Sequence, residues 1–112
     1  MQTLGKLEAS RARIINWHAG QSYALGDLTD LAVSRFSRSY NPDEAASATF
    51  KWNAYVRGSI AFLIKDRSEL QAARDEMYSA NPSLDNINAK ILDGLLACFD
   101  KSYSDAYGNC RP

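Results

Sequence analysis

The 112-residue sequence predicts an all-α fold of stacked antiparallel helical hairpins, with about five main helices and a short C-terminal helical turn. Three observations carry this. Apolar residues recur at helical spacing in five separate stretches, most of them bounded by Asp, Gly or Asn-Pro. No stretch alternates apolar and polar residues with β-branched enrichment, so no strand is expected. A helix–turn–helix design occurs twice in the chain.

The first helix is expected from about Thr3 to Leu25, with Leu7, Ile14, Trp17, Gln21, Ala24 and Leu25 sharing one face. Gly26-Asp27 breaks it, glycine being the usual residue just past a helix end. Asp27 or Thr29 can cap a second helix, in which Leu28, Leu31, Ala32, Phe36 and Tyr40 recur at helical spacing. Asn41-Pro42 ends that helix, because the residue before proline is pushed out of the helical region. Pro42-Asp43-Glu44 opens a third helix with acidic residues in its first turn, running on to Lys65. Its main part, FKWNAYVRGSIAFLIK, spreads Trp52, Tyr55, Val56, Ile60, Phe62 and Leu63 over an arc wider than a surface helix needs. This reads as the central helix, with Trp52 largely buried.

Asp66-Arg67-Ser68-Glu69 starts the fourth helix with an acidic cap and a glutamate three residues on. Leu70, Ala73 and Met77 share a face, and Asn81-Pro82 follows the end. After the turn at Ser83–Asn86, a fifth helix carries Ile87, Ile91, Leu92, Leu95, Leu96, Cys98 and Phe99. A last helical turn fits between Ser102 and Tyr107 and stops at Gly108.

The length suits a single domain over 1–112: one hairpin at about 3–41, a second at about 43–81, and the last helix with the tail at 84–112. Thirteen basic and thirteen acidic residues leave no net charge. That argues against nucleic-acid and acidic-membrane partners, which require a basic footprint, and leaves copies poorly protected from self-association. No apolar run reaches membrane-spanning length, and MQTLGKLEASRAR lacks the apolar core of a signal peptide, so a cytoplasmic protein is expected. Cys98 reads as a small buried hydrophobe. A disulfide from Cys98 to Cys110 is sterically possible, but the cytosol keeps thiols reduced, so free cysteines are the expectation.

The repeat relates Gly26–Pro42 to Lys65–Pro82: an aspartate turn, a helix, then Asn-Pro. Ile15-Asn16-Trp17-His18 likewise lies 35 residues before Phe50-Lys51-Trp52-Asn53, and the prolines are 40 apart. Trp17, Gly20, Tyr23, the Gly26-Asp27 turn, Ala32, Phe36 and Pro42 together resemble the pattern of the tetratricopeptide-like helical repeats. In the second hairpin Trp52, the Asp66 turn, Ala73 and Pro82 correspond. The resemblance covers roughly Ile15–Phe99 and implies right-handed stacking of hairpins with a concave groove for peptides or partner proteins.

Chemistry-bearing motifs are sparse. His18 is the only histidine, which excludes multi-histidine metal sites, and no carboxylate–histidine pattern of a di-iron bundle occurs. There is no Gly-rich phosphate loop and no nucleophile elbow. No catalytic residue, metal or cofactor is expected. Arg35 and Arg38, with Arg11, Arg13 and Arg57, hold an anion only if the fold brings them together. The leading expectation is a non-enzymatic module that binds a protein or peptide or oligomerises, with His18, Gln21, Asn53 and Arg57 as its polar groove contacts. The alternative is a small-ligand pocket or weak enzyme near His18, walled by Trp17, Tyr23 or Trp52. A homodimer is expected through the wide apolar arc of the fifth helix, at Ile91, Leu92, Leu95, Leu96 and Phe99.

Overall fold

The computed structural model describes residues 2–110, which form six helices and no strand. They are α1 (Gln2–Leu25), α2 (Thr29–Ser37), α3 (Trp52–Leu63), α4 (Arg67–Ala80), α5 (Ile87–Ala97) and α6 (Tyr103–Asn109). The C-terminal turn expected from the sequence is thus a seven-residue helix. α1 packs most extensively on α2, and α3 on α4. α5 lies against α3 and α4, and α6 lies against α5 and reaches back to α1.

Both hairpins turn in the same way. Asp27 and Lys65, 38 positions apart, take left-handed backbone angles, with φ of 62° and 61°. Leu28 N–H donates to Tyr23 O at 2.9 Å, and Asp66 N–H donates to Ala61 O at 2.8 Å. Each turn is therefore a Schellman-type cap that satisfies the last helical carbonyls, here without glycine. Gly26 does not take the left-handed position the sequence assigned to it; its N–H still bonds Ser22 and Tyr23 carbonyls. The start of α2 also differs from expectation. Leu28 occupies the N-cap and no side chain caps it, whereas Asp66 caps α4 as expected by accepting from Glu69 N–H.

The third helix starts at Trp52, ten residues later than Pro42. Residues 38–51 form an irregular connection instead, because long-range bonds outcompete local helix propensity there. Asn53 clamps the backbone of Asn41 from both sides, its Oδ1 accepting from Asn41 N–H at 2.7 Å and its Nδ2 donating to Asn41 O at 2.8 Å. Glu44 reaches across to accept from Asn53 N–H at 2.9 Å, placing a carboxylate at the positive end of α3. Trp52 Nε1 donates to Ser39 O at 2.6 Å, just past the end of α2.

The buried apolar residues form one cluster. Trp17, 6% exposed, is its node, with ring centroids 4.6 Å from Phe36, 4.8 Å from Tyr55 and 5.3 Å from Trp52. Trp52 is half-buried at the first position of α3, not centred in a longer helix as expected. Two glycines permit close approach. A Cβ on Gly20 would lie 2.6 Å from the Phe36 ring, and one on Gly58 would lie 2.8 Å from Leu92 and 3.3 Å from Ala73. Gly20 and Gly58 are again 38 positions apart, so the turns and the close contacts repeat in step.

Identical substitutions on α1 should therefore act with opposite sign. Gly20→Ala overpacks against Phe36 and should cost about 1–3 kcal/mol. Gly5→Ala meets nothing within 4 Å and should be neutral or gain up to about 1 kcal/mol from helix propensity. Thermal melts of the two variants check this; a Gly20→Ala protein as stable as the parent would refute the close contact.

Candidate functional site

The four residues expected to line a groove do not converge on one. His18 is exposed on α1, and it lines none of the three cavities described below. Gln21 Nε2 donates to Tyr103 Oη at 3.5 Å, tying α1 to α6. Asn53 is consumed in clamping the connection between α2 and α3. Arg57 is a hairpin staple, with Nε 2.8 Å from Glu69 Oε1 and Nη2 2.9 Å from Glu76 Oε1 on α4. The arginines do not gather either. Arg13 donates to Asn41 Oδ1 and Arg35 to Asn16 Oδ1, both at the α1–α2 side, away from the Arg57 pairs.

The fifth-helix face is also corrected. Ile91, Leu92 and Leu95 are buried within the chain, and Leu96 and Phe99 are half-buried against the same core. α3, α4 and α6 all pack against parts of α5, so one neighbouring hairpin is not its only cover. Of the apolar arc on which a fifth-helix dimer depends, Ile87 at the start of α5 is 63% exposed and the rest is buried or half-buried.

Cys98 and Cys110 are joined by a disulfide, with their Cα atoms 6.2 Å apart. This overturns the expectation of free thiols, since α6 folds back far enough to bring the tail cysteine to the end of α5. Such a bond persists in oxidising compartments, which weighs against the cytosolic setting expected from the sequence. Lys65 adds a second fastening. Its Nζ donates to Phe99 O at 2.7 Å and Lys101 O at 3.1 Å, and lies 3.8 Å from the Phe62 ring centroid. Burial lowers the pKa of Lys65, against the nearby charge of Asp100.

One polar cluster joins α4 and α5. Tyr78 Oη donates to Asp93 Oδ2 at 2.5 Å, and Arg74 Nη1 lies 3.1 Å from Asp93 Oδ1. Burial, then the hydrogen bond and the charge of Asp93, push Tyr78 up to about 12, while Arg74 acts the other way. The hydroxyl, protonated at neutral pH with or without this shift, serves here as a donor that clamps α4 to α5.

The cavities are shallow. One, about 340 Å³, is formed by the consecutive residues Asp27–Leu31. A second, about 440 Å³, lies between Ala46–Lys51 and α4. The third, about 90 Å³, sits among Ala24, Phe62, Lys65 and Tyr103. No group of three or more metal-ligating side chains occurs among the described residues. Among the described residues no helix is long and apolar enough to cross a membrane.

Among the exposed large apolar residues the most numerous set on one hairpin is on the first, while Tyr40, Phe50, Ile64, Leu84 and Ile87 are exposed elsewhere. Leu7, Ile14, Ile15 and Leu25 on α1 are 52%, 44%, 64% and 47% exposed, and Leu28 and Leu31 beside the turn are 51% and 49% exposed. Five of these six were expected on the faces that build the core. Trp17 and Ala24 do face inward, but Leu7, Ile14 and Leu25 lie on a neighbouring stripe turned away from it. The signal was present in the spacing: Leu7, Ile14 and Leu25, seven and eleven residues apart, fall on one stripe of the helix, and Trp17, Gly20 and Ala24 on another. Comparison with protein-family models, curated proteins and solved structures found no match.

Two outcomes follow. Because Tyr78 has a folded pKa above the free value of 10.0, its contribution to stability should be complete below pH 10 and fade as pH rises through about 12. Tyr78→Phe should flatten that alkaline decline in a denaturant series; an unchanged decline would refute the clamp. Cys110→Ser should cost about 2–3 kcal/mol, the entropy of a short closed loop. Amide exchange should then accelerate in α6 before α1–α5, and uniform acceleration would show that α6 is no separate unit.

Proposed function

We propose that this chain is a non-enzymatic helical-hairpin module, tetratricopeptide-like in its stacking, that works by protein contact through the outward side of α1 and the α1–α2 turn. The observation that carries the proposal is the exposed apolar set Leu7, Ile14, Ile15, Leu25, Leu28 and Leu31 on one hairpin. Apolar residues scattered singly need no explanation, whereas several on one surface mark an interaction site. The recurrence of turn geometry and close-approach glycines supports the repeat reading. α6, packed against α5 and α1, makes a peptide groove along the inner helices the less favoured surface. The polar residues singled out from the sequence are mostly spent on holding helices together, and His18 has no enclosing walls, so nothing favours the small-ligand alternative.

A photo-reactive benzophenone side chain at Ile15, compared with one at Leu84, tests this in cells producing the chain. Leu84 is 83% exposed and stands away from the first hairpin, so it controls for mere exposure. Discrete protein adducts are expected at Ile15 and not at Leu84. Equal yields at both, or none at Ile15, would refute the contact surface.

A further inference from the structure

α1 has 24 residues, about 36 Å of helix at 1.5 Å per residue, and among the residues whose burial is described its early stretch stands clear of the other helices. Residues 5–9 are all exposed, and a Cβ at Gly5 would meet nothing. The first side-chain bond from α1 to another element is Arg13 to Asn41. A helix end of this length is marginal in water without packing. The outward face has a definite period as well. Leu7, Arg11, Ile14, His18 and Leu25 recur on it at intervals of four, three, four and seven residues, with Gln21, bonded to Tyr103 of α6, at the intervening position of the alternation that seats one helix along another.

Charge selects the direction. The early end of α1 is basic, with Lys6, Arg11 and Arg13 against Glu8, while the turn beyond its late end carries Asp27 and Asp30. None of Lys6, Arg11, Asp27 and Asp30 makes an ion pair among the described residues. A surface basic at one end, acidic at the other and partly apolar between is complementary to itself only when turned end for end. Parallel pairing sets Lys6 against Lys6, Arg11 against Arg11 and Asp27 against Asp27.

We infer that the partner on this surface is a second copy of the chain, paired antiparallel through α1 about a two-fold axis near Asn16. The inference rests on the contact-surface reading above and adds the partner and the register. In this register Leu7 of one copy meets Leu25 of the other, Ile14 meets His18, and Arg11 comes to the level of Gln21 where α6 borders the seam. Lys6 comes beside Asp27 of the other copy, and the projecting early turns of each α1 gain the neighbour they lack. Two-fold pairing covers both overhangs with one contact, the usual closure of a homodimer.

Sedimentation of the full chain from about 5 to 100 µM tests the pairing, with twice the chain mass as the expected result. Ile14→Lys should weaken association at least about tenfold, since it would set a cation in the seam against His18 and beside Arg11 with no carboxylate to meet it, while helical circular dichroism is retained. The native cysteines are bonded to each other, so introduced cysteines report register cleanly. Under mild oxidation Leu7→Cys mixed with Leu25→Cys should cross-link, and Leu7→Cys alone should not. A monomer throughout the range, a dimer indifferent to Ile14→Lys, or self-linking of Leu7→Cys would each overturn the inference. A monomer that still gives Ile15 adducts to a different protein would reject the second copy and keep the contact surface. A monomer without such adducts would reject both.

Discussion

The aromatic packing of Trp17 is the contact on which the arrangement of the two hairpins depends. The indole touches Phe36 of its own hairpin and Tyr55 and Trp52 of the next, so one side chain spans three helices. Gly20 lies one turn further along α1, and only its missing Cβ lets Phe36 approach from α2. Trp52 in turn holds the carbonyl of Ser39 where α2 ends. The long connection from α2 to α3 is therefore fixed by tertiary bonds, and α3 begins where those bonds allow it. The position of α3 then sets those of α4 and α5, because Gly58 receives Leu92 and Ala73 at close range.

The helical class and most of the punctuation were legible in the residues. Asp66 caps α4, Asn86 caps α5, and Asn-Pro stands beyond α2 and α4, each a local signal that acts within one turn. What escaped the sequence was set at long range. Nothing near Pro42 shows that Glu44 will leave its own segment for Asn53 N–H, or that Asn53 will grip Asn41. The repeat register was blurred for the same reason. Matching tryptophans suggested an offset of 35 residues, yet the turns and glycines recur at 38, placing Tyr55 and not Trp52 opposite Trp17 in the second hairpin.

The candidate site was less legible than the fold. Apolar periodicity names the residues of a face but not which of two adjacent faces meets the core. On α1 it merged an inward stripe through Trp17 and Ala24 with an outward one through Leu7, Ile14 and Leu25. On α5 the error ran the other way. A wide apolar arc looked like surplus surface, but α3, α4 and α6 share it, and the disulfide and Lys65 hold the C-terminal segment beside it. The six exposed apolar residues of the first hairpin thus became visible only once the neighbours of each helix were known.

Polarity tells the same story from the opposite side. Arg57, Arg74, Asp93, Tyr78, Asn53 and Lys65 all bond across from one element to another, which is where charge and hydrogen bonding stabilise a chain with no net charge. Lys6 and Arg11 at one end of the first hairpin and Asp27 and Asp30 at the other are among the charged groups without an ion pair, and they flank its exposed apolar residues. Apolar and ionic complementarity therefore remain open on the same surface. A single antiparallel contact meets both demands, and it does so with the one helix that the rest of the chain supports along only part of its length.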